Sequence, residues 1–232
     1  FHHLRLTQVR VYRIGVRMFN DKGYEVRKKV LSKQTCEIIH EYYKIKIQNN
    51  EFHFDNGEQV KDTINMYGNP LNDAIMKWTT PIAEEMVGEE LYPCYTFMRV
   101  YNRNDELNPH TDRPSCEFSA TLPIYCDEPW PIFMQKYDEE KYGKIGEDAN
   151  YHLAALKGES KGVLLHQGDM CFYEGTKMNH WRRGFRGSQA FQLFIHYVRK
   201  NGEYSEYKFD KRKNLGLKSE SSKNAWNHLF DD

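Results

Sequence analysis

Two triplets in this 232-residue chain pair a histidine with an aspartate two positions later, His53-Phe54-Asp55 and His110-Thr111-Asp112. Residues i and i+2 of an extended segment point to the same side, so one strand end delivers an imidazole and a carboxylate to one place. With a second histidine from elsewhere, such a pair completes a 2-His-1-carboxylate triad, which grips Fe(II) on one face of an octahedron and leaves the opposite positions open. The pair alone is a thin signal: with 10 His and 13 Asp in the chain, about 0.6 such triplets are expected by chance. Context separates the two. The first lies in the polar run 49–58 between two predicted helices and reads as a chance loop pair. The second follows a predicted strand at 95–101 and a turn ending in Asn108-Pro109, and it precedes a predicted strand at 118–125, the setting a metal site needs.

The elements that must position these residues fall into two groups. Residues 28–31 read as a short strand ending at Ser32, a good N-cap for a helix through Cys36, Ile38, Ile39 and Tyr42. A second amphipathic stretch, 71–86, carries Leu71, Ile75, Trp78, Ile82 and Met86 about one face and is interrupted at Pro81. Both are expected to cover a sheet. From Tyr95 onward the pattern changes to short β-rich runs at 95–101, 118–125, 131–135, 162–166, 170–173 and 190–199, separated by Gly, Pro, Asn or Asp. Pro123 lacks a ladder donor and points to an edge or a bulge. Residues 136–161 read as an elaborated loop. After Asn201 the chain is polar until Trp226, Leu229 and Phe230, which are expected to dock back on the body; no internal repeat is found.

Bulk properties narrow the function classes. The chain is 39% hydrophobic and 28% charged, enough apolar material for one large core. Lys+Arg and Asp+Glu both number 33, so no global field draws in nucleic acid or an anionic membrane. The longest apolar runs are far too short to span a bilayer. Nothing near Phe1 reads as a secretion leader, and the five scattered cysteines form no CxxC pair. A cytoplasmic protein with reduced thiols is expected.

Three blocks then carry a resemblance that extends over residues 28–199. They are "MRVYNRNDELNPHTDRP" from Met98, "FSATLPIYCDE" from Phe118 and "VLLHQGDMCFYEGTKMNHW" from Val163. In this order and spacing they resemble the prolyl 4-hydroxylase-like branch of the Fe(II)/2-oxoglutarate-dependent oxygenase superfamily. The resemblance implies a mainly β fold with flanking helices, a double-stranded β-helix (jelly-roll) core with iron at its open end. It also implies one oxygenase domain: helical support over about residues 1–90, the core over about 91–200 and a polar extension over 201–232. It assigns the third ligand to His180, so that the metal and catalytic set becomes His110, Asp112 and His180. Of its rivals, His152 falls in the variable loop, whereas His166 and His196 fall inside apolar strand runs where a satisfied core histidine is commoner.

The resemblance further implies Fe(II), O₂ and 2-oxoglutarate as cofactor and co-substrates, with ascorbate in a supporting role. The far carboxylate of 2-oxoglutarate needs a cation or several donors inside the barrel. Tyr101 falls about where similar enzymes place a tyrosine on the co-substrate. Thr121 and Tyr125 resemble the family's pair near the far carboxylate and share a strand face if Pro123 does not break the period. One departure matters. The family usually has Lys or Arg nine to twelve residues after the distal histidine, but here that window is Gln189-Ala190-Phe191-Gln192. A buried anion still needs compensation, so Arg182 is expected to supply it, with Arg99 as second choice and Gln192 as a neutral donor.

The expected reaction is oxidative decarboxylation of 2-oxoglutarate to succinate and CO₂ with hydroxylation of a prolyl peptide, a free amino acid or another small molecule. Retention of Asp112 argues against the related halogenases. Trp181, Trp130, Arg113 and the 136–161 segment are candidates to shape the mouth of the site. A nucleic-acid-directed oxidative demethylase would use the basic clusters 27–29, 182–186 and 211–213, but solvated faces explain these more simply. The remaining alternative is a non-catalytic jelly-roll protein that binds metal or ligand without turnover. The sequence does not fix the oligomeric state.

Overall fold

The computed structural model describes residues 19, 21–55, 60 and 62–217; Trp226, Leu229 and Phe230 lie outside them. Two antiparallel sheets form the frame. The larger joins β1 (Tyr24–Arg27), β2 (His53–Asp55), β3 (Thr63–Tyr67), β4 (Leu91–Asn102), β6 (Phe118–Cys126), β9 (Met170–Tyr173) and β11 (Gln189–Arg199), in the order β1-β9-β6-β11-β4-β3-β2. The smaller joins β5 (Leu107–His110), β7 (Ile132–Lys136), β8 (Lys161–Val163) and β10 (Met178–Arg182), in the order β5-β10-β7-β8. This is the jelly-roll architecture expected from the sequence, mainly β with flanking helices, the two long ones on one face of the larger sheet.

Alternation along the long strands explains why one side is a core and the other a site. Ala120, Leu122, Met98, Val100, Leu193 and Ile195 pack against helices α1 (Lys33–Gln48) and α2 (Pro70–Val87). Their neighbours Phe97, Arg99 and Tyr101 on β4 face the space between the sheets. Ser32 caps α1 by accepting from the Thr35 amide at 3.0 Å, and the helix buries Cys36, Ile39 and Tyr43. Asn69 caps α2, Pro70 opens it and Gly88 closes it at φ 81°.

Several local expectations are corrected. The first strand is Tyr24–Arg27; residues 28–30 are a turn, because Lys29 adopts φ 55° and its amide donates to Asp169. Helix α2 runs unbroken through Pro81, where the hydroxyls of Thr79 and Thr80 donate back to the Ile75 and Met76 carbonyls. His53-Phe54-Asp55 is an edge strand paired with β3, not a loop. Pro123 lies on an interior strand and not at an edge. The ladder to β11 shifts register between Phe191 and Gln192, so the bulge reading holds. Residues 136–161 contain two short helices, α3 (Glu139–Tyr142) and α4 (Tyr151–Lys157). His166 is exposed beyond the end of β8, not in a strand.

The segment after β11 is pinned by charge. Arg212 and Asp73 form an almost fully buried ion pair at 2.9 Å, and Asp73 also accepts from Thr96 and from the Gly216 amide. Removing one partner of such a pair strands the other charge, so Arg212→Ala is expected to cost about 3–5 kcal/mol of stability. Urea unfolding checks this, and a loss below about 1 kcal/mol would place the pair in a wetter setting.

Candidate metal centre

The ends of β5 and β10 meet at the open end of the barrel, and their register sets His180 directly opposite His110. The two imidazole centroids are 4.2 Å apart. Asp112 follows β5, its amide donating to the Gly175 carbonyl at 2.8 Å. Its Oδ1 lies 3.6 Å from His110 Nε2 and 3.7 Å from His180 Nε2. The three residues thus present ligand atoms within 4.8 Å of one another.

Backbone carbonyls choose the tautomers. His110 Nδ1 is 2.7 Å from the Asn108 carbonyl and His180 Nδ1 is 2.9 Å from that of Met178. A carbonyl only accepts, so both Nδ1 atoms carry the proton and both Nε2 lone pairs turn toward Asp112. The Tyr173 hydroxyl, 3.3 Å from His180 Nε2, donates there accordingly. Burial is the main cause that pulls His110 and His180 down to about 4, and burial likewise raises Asp112. Both imidazoles are therefore neutral at pH 7, the form a metal takes. Two neutral lone pairs and one buried carboxylate suit a divalent cation.

A second trio, Asp112, Cys116 and His196, is equally close. It is spoken for. Asp112 Oδ2 and His196 Nδ1 both bond the Ser119 hydroxyl, at 2.5 Å and 2.9 Å, and burial pushes the Cys116 thiol up to about 12. Sequence reasoning dismissed His196 as a ligand and missed Ser119 and Gly175 altogether. A Cβ on Gly175 would lie 2.2 Å from the Cys116 carbonyl and 2.7 Å from Asp112 Oδ2, so only glycine lets these groups close up.

The triad opens onto a cavity of about 870 Å³ whose wall includes Tyr95, Phe97, Arg99, Tyr101, Tyr151 and Tyr204. Arg113 lines it, as do Glu139, Ile145 and Gly146 from the 136–161 segment. Trp130 and Trp181 do not: Trp130 lies under Arg182 and Trp181 stacks on Phe133. Tyr101 is fully buried, and its hydroxyl has no hydrogen-bond partner among the described residues.

Arg182 and Thr121 sit behind this wall. Arg182 is 2% exposed and donates to the Trp130 carbonyl, with Thr121 Oγ1 and Gln192 Oε1 each at 3.4 Å. No carboxylate among the described residues pairs with it, and its Nε is unsatisfied. Such a buried lone guanidinium is costly. Arg99 lies 5.0 Å over the Phe97 ring and 5.9 Å over that of Tyr101. Tyr125 must be withdrawn from the co-substrate set. The bulge after Pro123 turns its ring to the helix side, where it stacks on His40 at 4.2 Å.

No protein-family model and no curated protein matches this chain. Solved structures do. A Pseudomonas putida prolyl-4-hydroxylase superposes with TM-score 0.58 at 11% identity, over 81% of this chain and 98% of its own. The 2-oxoglutarate-dependent epimerase SnoN from nogalamycin biosynthesis gives 0.66 at 11% identity, over 90% and 94%. HygX from Streptomyces hygroscopicus, solved with nickel, 2-oxoglutarate and hygromycin B, gives 0.57 at 12% identity, over 82% and 88%. At this identity the likeness is one of architecture, and the chain has the jelly-roll fold of the Fe(II)/2-oxoglutarate oxygenases, that prolyl-4-hydroxylase among them.

Proposed function

We propose that this protein is an Fe(II)- and 2-oxoglutarate-dependent oxygenase acting as a hydroxylase. The observation that carries the proposal is the aim of two Nε2 lone pairs and one carboxylate oxygen at a common point beside a cavity. His110, Asp112 and His180 would hold the iron, which when bound supplies the oxidative chemistry of O₂ and 2-oxoglutarate. The chain's own part is to orient and to exclude water. Tyr101 offers its spare hydroxyl from the cavity wall. Arg182, with Thr121 and Gln192, offers a buried cation that the far carboxylate would neutralise. The window after the distal histidine lacks Lys or Arg, but β10 delivers a guanidinium to within 3.4 Å of Gln192, which supports a place for the co-substrate's far carboxylate.

The substrate we assign is a small molecule or a prolyl peptide. The ring-lined wall favours a ring-bearing group, and the named neighbours include an epimerase from nogalamycin biosynthesis and a protein solved with hygromycin B. Nucleic acid is disfavoured because two of the three basic clusters are partly paired with acids, and in the third Arg182 is buried. Arg27 pairs with Glu25 and Glu85, Lys28 with Asp169, Lys211 with Glu206 and Arg212 with Asp73. No described helix is long and apolar enough to cross a membrane. Five free thiols fit a reducing, cytosol-like compartment.

The test is succinate formation from 2-oxoglutarate with Fe(II) and ascorbate and no other substrate. Slow uncoupled release of succinate is expected from the wild type and none from His110→Ala. Metal binding without any succinate would make the protein a binding module instead.

A further inference from the structure

The metal reading uses one oxygen of Asp112 and leaves the other to be explained. Oδ2 accepts from Ser119 Oγ at 2.5 Å, and the same hydroxyl lies 2.9 Å from His196 Nδ1. A hydroxyl has one proton, and an ionised carboxylate has none to give. The serine proton therefore goes to Asp112, and His196 must donate its Nδ1 proton to Ser119. The short first bond is what a charge-assisted O–H···O⁻ contact looks like. Both partners come from the large sheet, Ser119 on β6 and His196 on β11, where their backbones pair directly. They are buried, and His196 is held flat by the Tyr95 ring at 4.4 Å. Gly175 adds the space, because any Cβ there would also lie 2.6 Å from Ser119 Oγ.

Resting on the metal reading above, we propose that Ser119 and His196 are positioning residues that fix Asp112 with Oδ1 alone turned to the two histidines. A carboxylate with both oxygens free can rotate about its last bond or chelate an ion with both. Chelation would fill a coordination position that a facial triad must keep open. The chain Asp112–Ser119–His196 runs from the small sheet's open end into the rigid centre of the large one. It ties the one proposed ligand that follows a strand end to the β6–β11 pair in the interior of the large sheet. Outer partners of this kind typically change metal affinity 10- to 100-fold when lost.

The experiment is a titration of metal-free protein with Co(II), read by visible absorption, beside the thermal midpoint of each metal-free variant. Ser119→Ala is expected to weaken Co(II) binding roughly 10-fold or more, while Ser119→Thr, which keeps the hydroxyl, stays near wild type. His196→Leu should weaken binding as well, and His196→Asn, whose amide places an N–H where Nδ1 stands, should restore it. A purely packing role predicts losses that follow side-chain volume and the metal-free midpoint, not the presence of a donor. Equal Co(II) affinity in Ser119→Ala and wild type overturns the inference. Should Ser119→Ala fail to fold, equal affinities in His196→Leu and His196→Asn overturn it just as well. Wild type that takes up no Co(II) sinks the metal reading itself, a different outcome from either.

Discussion

His180→Ala is expected to bind Fe(II) or Co(II) far more weakly than wild type, by well over the roughly 10- to 100-fold that loss of an outer partner brings, and to release no succinate. His180 faces the cavity opposite His110, and among the described residues its ring bonds only the Met178 carbonyl and the Tyr173 hydroxyl. Its removal takes away one of the three proposed ligands and, of framework contacts, mainly the packing of its buried ring on Tyr173. The metal-free variant should therefore keep its thermal midpoint within a few degrees, which separates a lost ligand from a lost fold. The other His-x-Asp triplet supplies the control. His53 sits on β2, the last strand of the large sheet, and His53→Ala should leave metal binding unchanged. Isothermal titration of both variants checks the contrast, and equal losses in the two would refute the assignment.

The second large effect is at Arg182, and its sign differs between the ligand-free and ligand-bound protein. A buried guanidinium with no carboxylate partner among the described residues burdens the ligand-free fold, and replacing such a charge with an apolar side chain of similar volume is often neutral or stabilising. Arg182→Met is accordingly expected to leave the ligand-free thermal midpoint unchanged or higher. The same substitution removes the cation proposed for the far carboxylate, so the KM for 2-oxoglutarate should rise on the order of 100-fold, the cost of truncating one partner of a buried charge pair. The rise in thermal midpoint that 2-oxoglutarate gives the metal-loaded wild type should vanish with it. A variant that is destabilised when empty but unaltered in KM would make Arg182 a structural residue.

What the sequence revealed and what it hid follow from how far each contact reaches along the chain. The helix caps at Ser32 and Asn69 are settled within four residues, and the capping of α1 was readable directly. The long strands β4, β6 and β11 announce themselves by apolar content. Strands β5 and β10 do not, since Leu107–His110 and Met178–Arg182 are short and carry the polar groups of the site; the first reads as a turn and the second as no element at all. His110, Asp112 and His180 were found because their types and spacing resemble a known pattern, not because periodicity demanded them. Tyr125 was misplaced for a local reason: Pro123 and the register shift beside it break the two-residue alternation on which its placement depended. Ser119 and Gly175 gave no signal, because their use is decided by Asp112, which only the folded chain brings against them.

The position a divalent ion takes up tests the metal centre most directly. A crystal soaked with Mn(II) and measured at the metal's absorption edge should show one anomalous peak about 2 Å from His110 Nε2, His180 Nε2 and Asp112 Oδ1. A peak seated instead against Cys116 and His196, or none while the three side chains point apart, would contradict it.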